Sequence, residues 1–184
     1  MPDVIASSAP DEVRLWVALD VHKFSIVAAV LPPDGGRPEV SRIETTEKAI
    51  RRFITKLGGP EGLAVAYEAG PGGFALWRLL TSMRVACDVI APSLIPVRTG
   101  DRVKTDRRDA KKLVSLLRAG LLRFVHPPTP ELEGLRDLLR CRDDLRRAQV
   151  AARNRVLKTL LRHGQIFRDG KTAWTKLHRA WIAE

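Results

Sequence analysis

The sequence predicts an α/β domain built on a mixed central sheet, followed by a long helical extension. Two apolar, β-branched runs, VRLWVALD (13–20) and FSIVAAVL (24–31), are separated only by the polar stretch Val21-His22-Lys23, which is the pattern of a hairpin. Apolar strand-like runs then alternate with helical patterns, the signature of an α/β sheet. Beyond a proline-rich stretch, leucines recur at helical spacing from Glu131 to His163.

After the hairpin, Pro32-Pro33-Asp34-Gly35-Gly36 marks a turn and EVSRIET a third, edge strand. A helix is predicted from Glu47 to Leu57, with Ile50, Phe53, Ile54 and Leu57 on one face and Thr45 or Thr46 as its cap. Gly58-Gly59-Pro60 ends it. GLAVAYEAG is a fourth strand, Phe74 to Met83 a helix, and VACDVIAP a fifth strand. Three antiparallel-compatible strands followed by helix and strand give a five-stranded mixed sheet with flanking helices. Right-handed crossovers place the first and fourth strands side by side and parallel, so Asp20 and Glu68, which close them, share one sheet edge. Residues 92–105 read as an irregular loop, and a helix is expected from Thr105 to Ala119, ending at Gly120. His126-Pro127-Pro128-Thr129-Pro130 reads as a stiff linker, which divides the chain into a domain over 1–125 and a helical region over 126–184. A last helix is expected from Thr172 to Ala183, carrying Trp174 and Trp181; those indoles either pack on their own domain or face a missing partner.

Net charge sharpens the reading once it is divided along the chain. Residues 1–97 hold 10 Lys+Arg against 11 Asp+Glu, whereas residues 98–184 hold 22 against 10. The whole basic excess lies in the second half, as a polyanion partner requires. No apolar run is long enough to span a bilayer, and the N-terminus lacks the pattern of an export signal, so a cytoplasmic location and no membrane are expected. Cys87 and Cys141 show no metal-ligand spacing and are expected as thiols.

The segment KTDRRDAKKL (104–113) sets Asp106 and Asp109 inside a run of Lys and Arg. At i and i+3 on a helix the two carboxylates share one side. By themselves they suit a helix N-terminus, with Asp106 as a cap, and Asp20 by itself suits a turn. Glu68 is held on rigid backbone between an apolar strand and Ala-Gly-Pro-Gly-Gly. Four carboxylates converging on one edge repel unless protonated or bridged by cations. Mg2+ or Mn2+ suits an all-oxygen set of this kind, and two such ions support in-line phosphoryl transfer. Arg102, Lys104, Arg107 and Arg108 would then orient the phosphate backbone, with Lys23, Arg98, Lys111 and Lys112 as further expected nucleic-acid contacts. His22, His126, His163 and His178 show no ligand pairing and are expected at solvent or against phosphate.

The motifs LDVHK, YEAGPGG and KTDRRDA, in this order, resemble the DEDD transposases of bacterial insertion sequences, insertion sequence family 110, which include the Piv-type DNA invertases. The resemblance covers essentially the whole chain, and the Lys-Thr-Asp-Arg-x-Asp-Ala string is its most specific part. It implies a RuvC-like, ribonuclease-H-type fold whose metal-binding and catalytic set is Asp20, Glu68, Asp106 and Asp109. It also implies site-specific DNA recombination, a guide RNA, and a coiled-coil linker beginning at Glu131 through which the chain self-associates. Family members carry a C-terminal domain with a nucleophilic serine. The chain ends at Glu184, before such a domain, and is expected to represent the metal-binding part, unable to complete recombination alone.

Three other readings are compatible with parts of the sequence. Gly70-Pro71-Gly72-Gly73-Phe74-Ala75, with Asp88 downstream, fits a dinucleotide-binding turn, although Glu68 would face the pyrophosphate with like charge. A junction resolvase or ribonuclease H would need only metal and carboxylates. A non-catalytic nucleic-acid-binding module would bind with steep salt dependence and without the acids.

Overall fold

Residues 17–19, 26–29 and 63–67 are apolar on both strand faces, and such segments are stable only in a sheet covered on both sides. The computed structural model describes residues 4–5, 7–96 and 105–183 and divides into two compact units, residues 1–127 and 128–184. In the first unit, β1 (Val4–Ile5), β2 (Leu15–Val21), β3 (Ser25–Leu31), β4 (Glu39–Glu44), β5 (Leu63–Glu68), β6 (Ala86–Ile90) and β7 (Phe124–Val125) form one sheet. Its order is β1-β7-β6-β5-β2-β3-β4. The β2-β3-β4 strands are antiparallel, and β2-β5-β6 are parallel. This is the expected mixed sheet with flanking helices. The edge position of β4 and the parallel β2-β5 pair agree with the sequence reading.

The strand count is a correction: the sheet has seven strands, not five. β7 pairs antiparallel with β6, and β1 with β7. Each of the added strands is two residues long, too short for alternation to register in a sequence.

Strand alternation sorts the core into two layers. On one face Val17, Leu19, Ile26, Val65 and Tyr67 meet Ile50, Phe53 and Ile54 of α1 (Glu47–Lys56) and Leu80 of α2 (Ala75–Ser82). On the other, Ala18, Val27, Ala29 and Ala66 meet Ala110, Leu113, Val114 and Leu117 of α3 (Asp106–Arg118). Each buried Leu or Val here contributes roughly 1.5–3 kcal/mol. The alanines on the second face have another effect: with little side-chain bulk between them, the helix backbone lies close to the sheet.

Buried Asp88 of β6 ties down the N-terminal segment. Its carboxylate accepts from Ser7 Oγ (2.6 Å), Ser8 Oγ (2.6 Å) and the Ser8 amide (2.9 and 3.0 Å). A carboxylate engaged in this way is not presented to a ribose, which removes the acidic residue that the dinucleotide reading relied on.

In the second unit, α4 (Pro130–Arg162) begins where Thr129 Oγ1 accepts from the Leu132 amide (3.3 Å), with Pro130 at the first helical position. Leu135, Leu138, Leu145 and Leu161 along it are exposed. The final helix, α5 (Lys176–Ala183), starts four residues later than the periodicity predicts. Trp174 has φ +68°, outside the right-handed helical region, and its amide donates to His178 Nδ1 (3.2 Å). His178 is a second correction: it is 3% exposed, inside a cluster with Phe167 (4.9 Å between ring centroids), Trp174 (5.6 Å) and Trp181 (5.6 Å). Arg153 of α4 stacks over Trp174 at 5.4 Å. Both indoles thus pack within their own unit. Among the described residues no helix is long and apolar enough to cross a membrane.

Candidate metal centre

The C-terminal end of β2 turns at His22, whose amide donates to Ser25 O (2.9 Å). Thr45 holds this turn from the β4-α1 junction: its Oγ1 donates to His22 O (2.8 Å) and its amide to Phe24 O (3.3 Å). Asp20 and His22, two residues apart, then fall on the same side of the strand. That side is the one α3 covers, because Ala18 belongs to the α3 layer.

At the start of α3 the cap is Thr105, whose Oγ1 accepts from the Arg108 amide (3.3 Å). Asp106 is therefore the first helical residue and its carboxylate is not spent on capping. The helix N-terminus favours an anion at this position. With α3 close to the sheet, Asp106 comes down onto the end of β2. His22 Nε2 lies 3.3 Å from Asp20 Oδ2 and 3.5 Å from Asp106 Oδ2. One ligand atom from each of Asp20, His22 and Asp106 lies within 4.8 Å of the others.

The electrostatics match this crowding. Burial pushes the Asp20 carboxyl above its ordinary range; His22 pulls it down, and the carboxylates of Asp106 and Asp109 push it up. Asp109, one turn further along α3, is thus felt at Asp20 without belonging to the tight trio. Glu68 closes β5 and is exposed. Since Leu19 pairs with Tyr67, Asp20 and Glu68 occupy corresponding positions on neighbouring parallel strands. Glu68 shares the sheet edge but also lies outside the trio.

The expected cations divide in three. Arg107 and Arg108 are exposed on the first turn of α3, and Lys111 and Lys112 are partly buried further along it. Lys23 is at the hairpin tip with its Nζ 4.9 Å over the Phe24 ring. Arg98, Arg102 and Lys104 lie outside the described residues. His22 is the residue that the sequence reading missed. The available signal was its i+2 spacing from Asp20, which puts both side chains on one face of a strand.

These features define a mixed α/β protein with a cluster of acids and a histidine at the C-terminal edge of its parallel strands. The family model DEDD_Tnp_IS110, described as Transposase, matches residues 17–164, and the chain belongs to that family. It is 40% identical over 173 residues to y4qE of Sinorhizobium fredii (strain NBRC 101917 / NGR234), named as a transposase, covering 92% of this chain and 44% of that protein. It is 36% identical over 172 residues to the transposase for insertion sequence element IS1533 of Leptospira borgpetersenii, covering 92% of this chain and 50% of the relative. The chain spans about half the length of the curated relatives it matches. Among solved structures, the large terminase nuclease from thermophilic phage G20c superposes with a TM-score of 0.33 at 15% identity, covering 64% of this chain and 61% of that one, too loosely to support any functional step.

Proposed function

We propose that this chain provides the metal-dependent part of an insertion-sequence transposase, a site-specific DNA recombinase. The observation that carries the reading is the convergence of Asp20 and Asp106 on His22 at the edge where α/β proteins place their chemistry. The donor set fits a divalent cation. Two carboxylate oxygens and an imidazole nitrogen lie within ligand reach of one centre, and the upward push on Asp20 by burial and by Asp106 and Asp109 is the strain that a bound cation relieves.

Asp20 and Asp106 would hold Mg2+ or Mn2+, with Asp109 and Glu68 completing the acidic set. When bound, the ion supplies charge neutralisation at a phosphoryl oxygen and activation of an attacking oxygen. The chain's own groups do the rest. Thr105 keeps Asp106 free of the helix cap, Thr45 fixes the turn that carries His22, and the Asp106 and Asp109 charges keep Asp20 primed for a cation. Lys23, Arg98, Arg102, Lys104, Arg107, Arg108, Lys111 and Lys112 hold the nucleic-acid backbone, whether DNA or a guide RNA paired with it. The first unit acts as the metal-binding domain. The second is a helical extension whose exposed leucines on α4 support self-association, and in the whole transposase a serine-bearing domain supplies the nucleophile.

Calorimetric titration of residues 1–184 with Mn2+ and with Mg2+ tests the reading. Saturable binding that is lost in Asp20→Asn/Asp106→Asn supports it, and equal binding by the double variant overturns it. Strand exchange is expected only when a serine-bearing domain is added. Magnesium-dependent strand cutting by residues 1–184 alone would point instead to a simple nuclease.

A further inference from the structure

A cleft of about 530 Å³ opens beside the acid cluster, between β4 and the first turn of α3. Val27, Ser41 and Arg42 line it from the sheet, and Thr105, Asp106 and Arg107 from the helix. Asp106 belongs to both the cleft and the metal group, so the two are continuous.

Sheet register fixes where Arg42 stands. Asp20 pairs with Val27, and Val27 with Arg42, so the three form one cross-strand row on the α3 face. With neighbouring strands about 4.8 Å apart, the row runs roughly 10 Å from the acid cluster to Arg42. Arg42 Nη2 donates to Ser25 Oγ (2.8 Å), which orients the guanidinium along this face. Among the described residues neither Arg42 nor Arg107 has a carboxylate partner. Two guanidinium groups, the Thr105 hydroxyl and an apolar floor make a site for a phosphodiester: guanidinium groups bind its oxygens through paired N–H donors. A ligand reaching both Arg42 and the acid cluster must carry phosphates spaced along a chain, as a nucleic-acid strand does.

We infer that Arg42 and Arg107 clamp a backbone phosphate flanking the one at the acid cluster, so that the bound strand leaves the cluster across Val27 toward β4. This deepens the transposase reading and rests on it for the identity of the strand; Arg42 is the positioning residue it adds.

The test uses the full chain with a fluorescein-labelled DNA duplex, read by anisotropy in chelator over a range of salt, alongside Mn2+ titration of the same variants. One phosphate contact at 0.1 M salt is worth about eightfold in affinity, with a change of about one in the slope of log K against log salt. Arg42→Glu and Arg107→Glu are expected to weaken DNA binding by at least that factor, and Arg42→Glu, roughly 10 Å from the acid cluster, to leave Mn2+ binding unchanged. Arg52→Glu, exposed on α1 against the other face of the sheet, is the charge-matched control and should change binding less than twofold. Arg42→Gln, which keeps the side chain's length and removes its charge, should lower the salt slope by about one if Arg42→Glu fails to fold. Equal losses at Arg42 and Arg52, or no measurable DNA binding by the unmodified chain, overturn the clamp. Loss of the metal reading shows separately, as absent Mn2+ binding, and leaves the DNA comparison decisive for Arg42.

Discussion

His22 Nε2 stands 3.5 Å from Asp106 Oδ2, joining the turn after β2 to the first residue of α3. The same nitrogen is 3.3 Å from Asp20. An imidazole placed between two carboxylates alters the choice of metal, because nitrogen suits Mn2+ better than the strictly oxygen-seeking Mg2+. His22→Ala is expected to lower Mn2+ affinity by about tenfold, the lower end of what losing a supporting group costs a metal site, and Mg2+ affinity by less. Parallel titrations with the two ions decide this, and equal losses would remove His22 from the ligand set.

Asp20 sets a pH dependence. Its carboxyl is raised above the ordinary 3.8, first by burial, against the pull of His22 and with the push of Asp106 and Asp109. Without a cation, the stability tied to its neutral form is present below pH 3.8 and is lost as pH rises through the raised value. A bound cation reverses the preference. The rise in Tm produced by Mn2+ should therefore be full at pH 7 and fade as pH falls through the raised Asp20 range, at a higher pH than an ordinary aspartate would give. Melting curves across pH 3–7 with and without Mn2+ check it; Asp20→Asn should show little Mn2+ effect at any pH.

Asp88 is expected to serve stability alone. Replacing it by Ala leaves the Ser7 hydroxyl and the Ser8 hydroxyl and amide without their acceptor, a loss of about 2–4 kcal/mol for a buried, charge-assisted network. Urea unfolding should show the lower midpoint, while Mn2+ binding by the folded fraction stays the same. A loss under about 0.5 kcal/mol, ordinary for a surface change, would contradict the tether.

The two thiols should differ sharply in reactivity. Cys87 is buried in β6, and burial, with the neighbouring Asp88 charge, pushes its thiol well up. Cys141 is exposed on α4. A thiolate-selective reagent at pH 8 should modify one cysteine quickly in the native chain and the second only in denaturant. Fast modification of both would mean that β6 opens readily.

Much of this protein is legible in its sequence, since alternation and helical spacing report which residues need burial. The five long strands, the cap of α1 at Thr45 or Thr46, and the placement of Asp20 and Glu68 at corresponding strand ends all follow from local pattern, whereas the cap of α3 falls on Thr105 and not on Asp106. KTDRRDA shows that Asp106 and Asp109 share a helix side, but not where that side points. Tertiary packing decided that: Ala18, Ala29 and Ala66 face Ala110, and small residues on both surfaces let α3 settle close enough to bring Asp106 to His22 and Asp20. Packing likewise gave Asp88 to Ser7 and Ser8, buried His178 among aromatic rings, and aligned Arg42 with Asp20 across three strands. Periodicity reveals which face of an element is buried. The depth and partner of each side chain on that face depend on the summed bulk of two surfaces far apart in the chain, and only the folded structure brings those surfaces together.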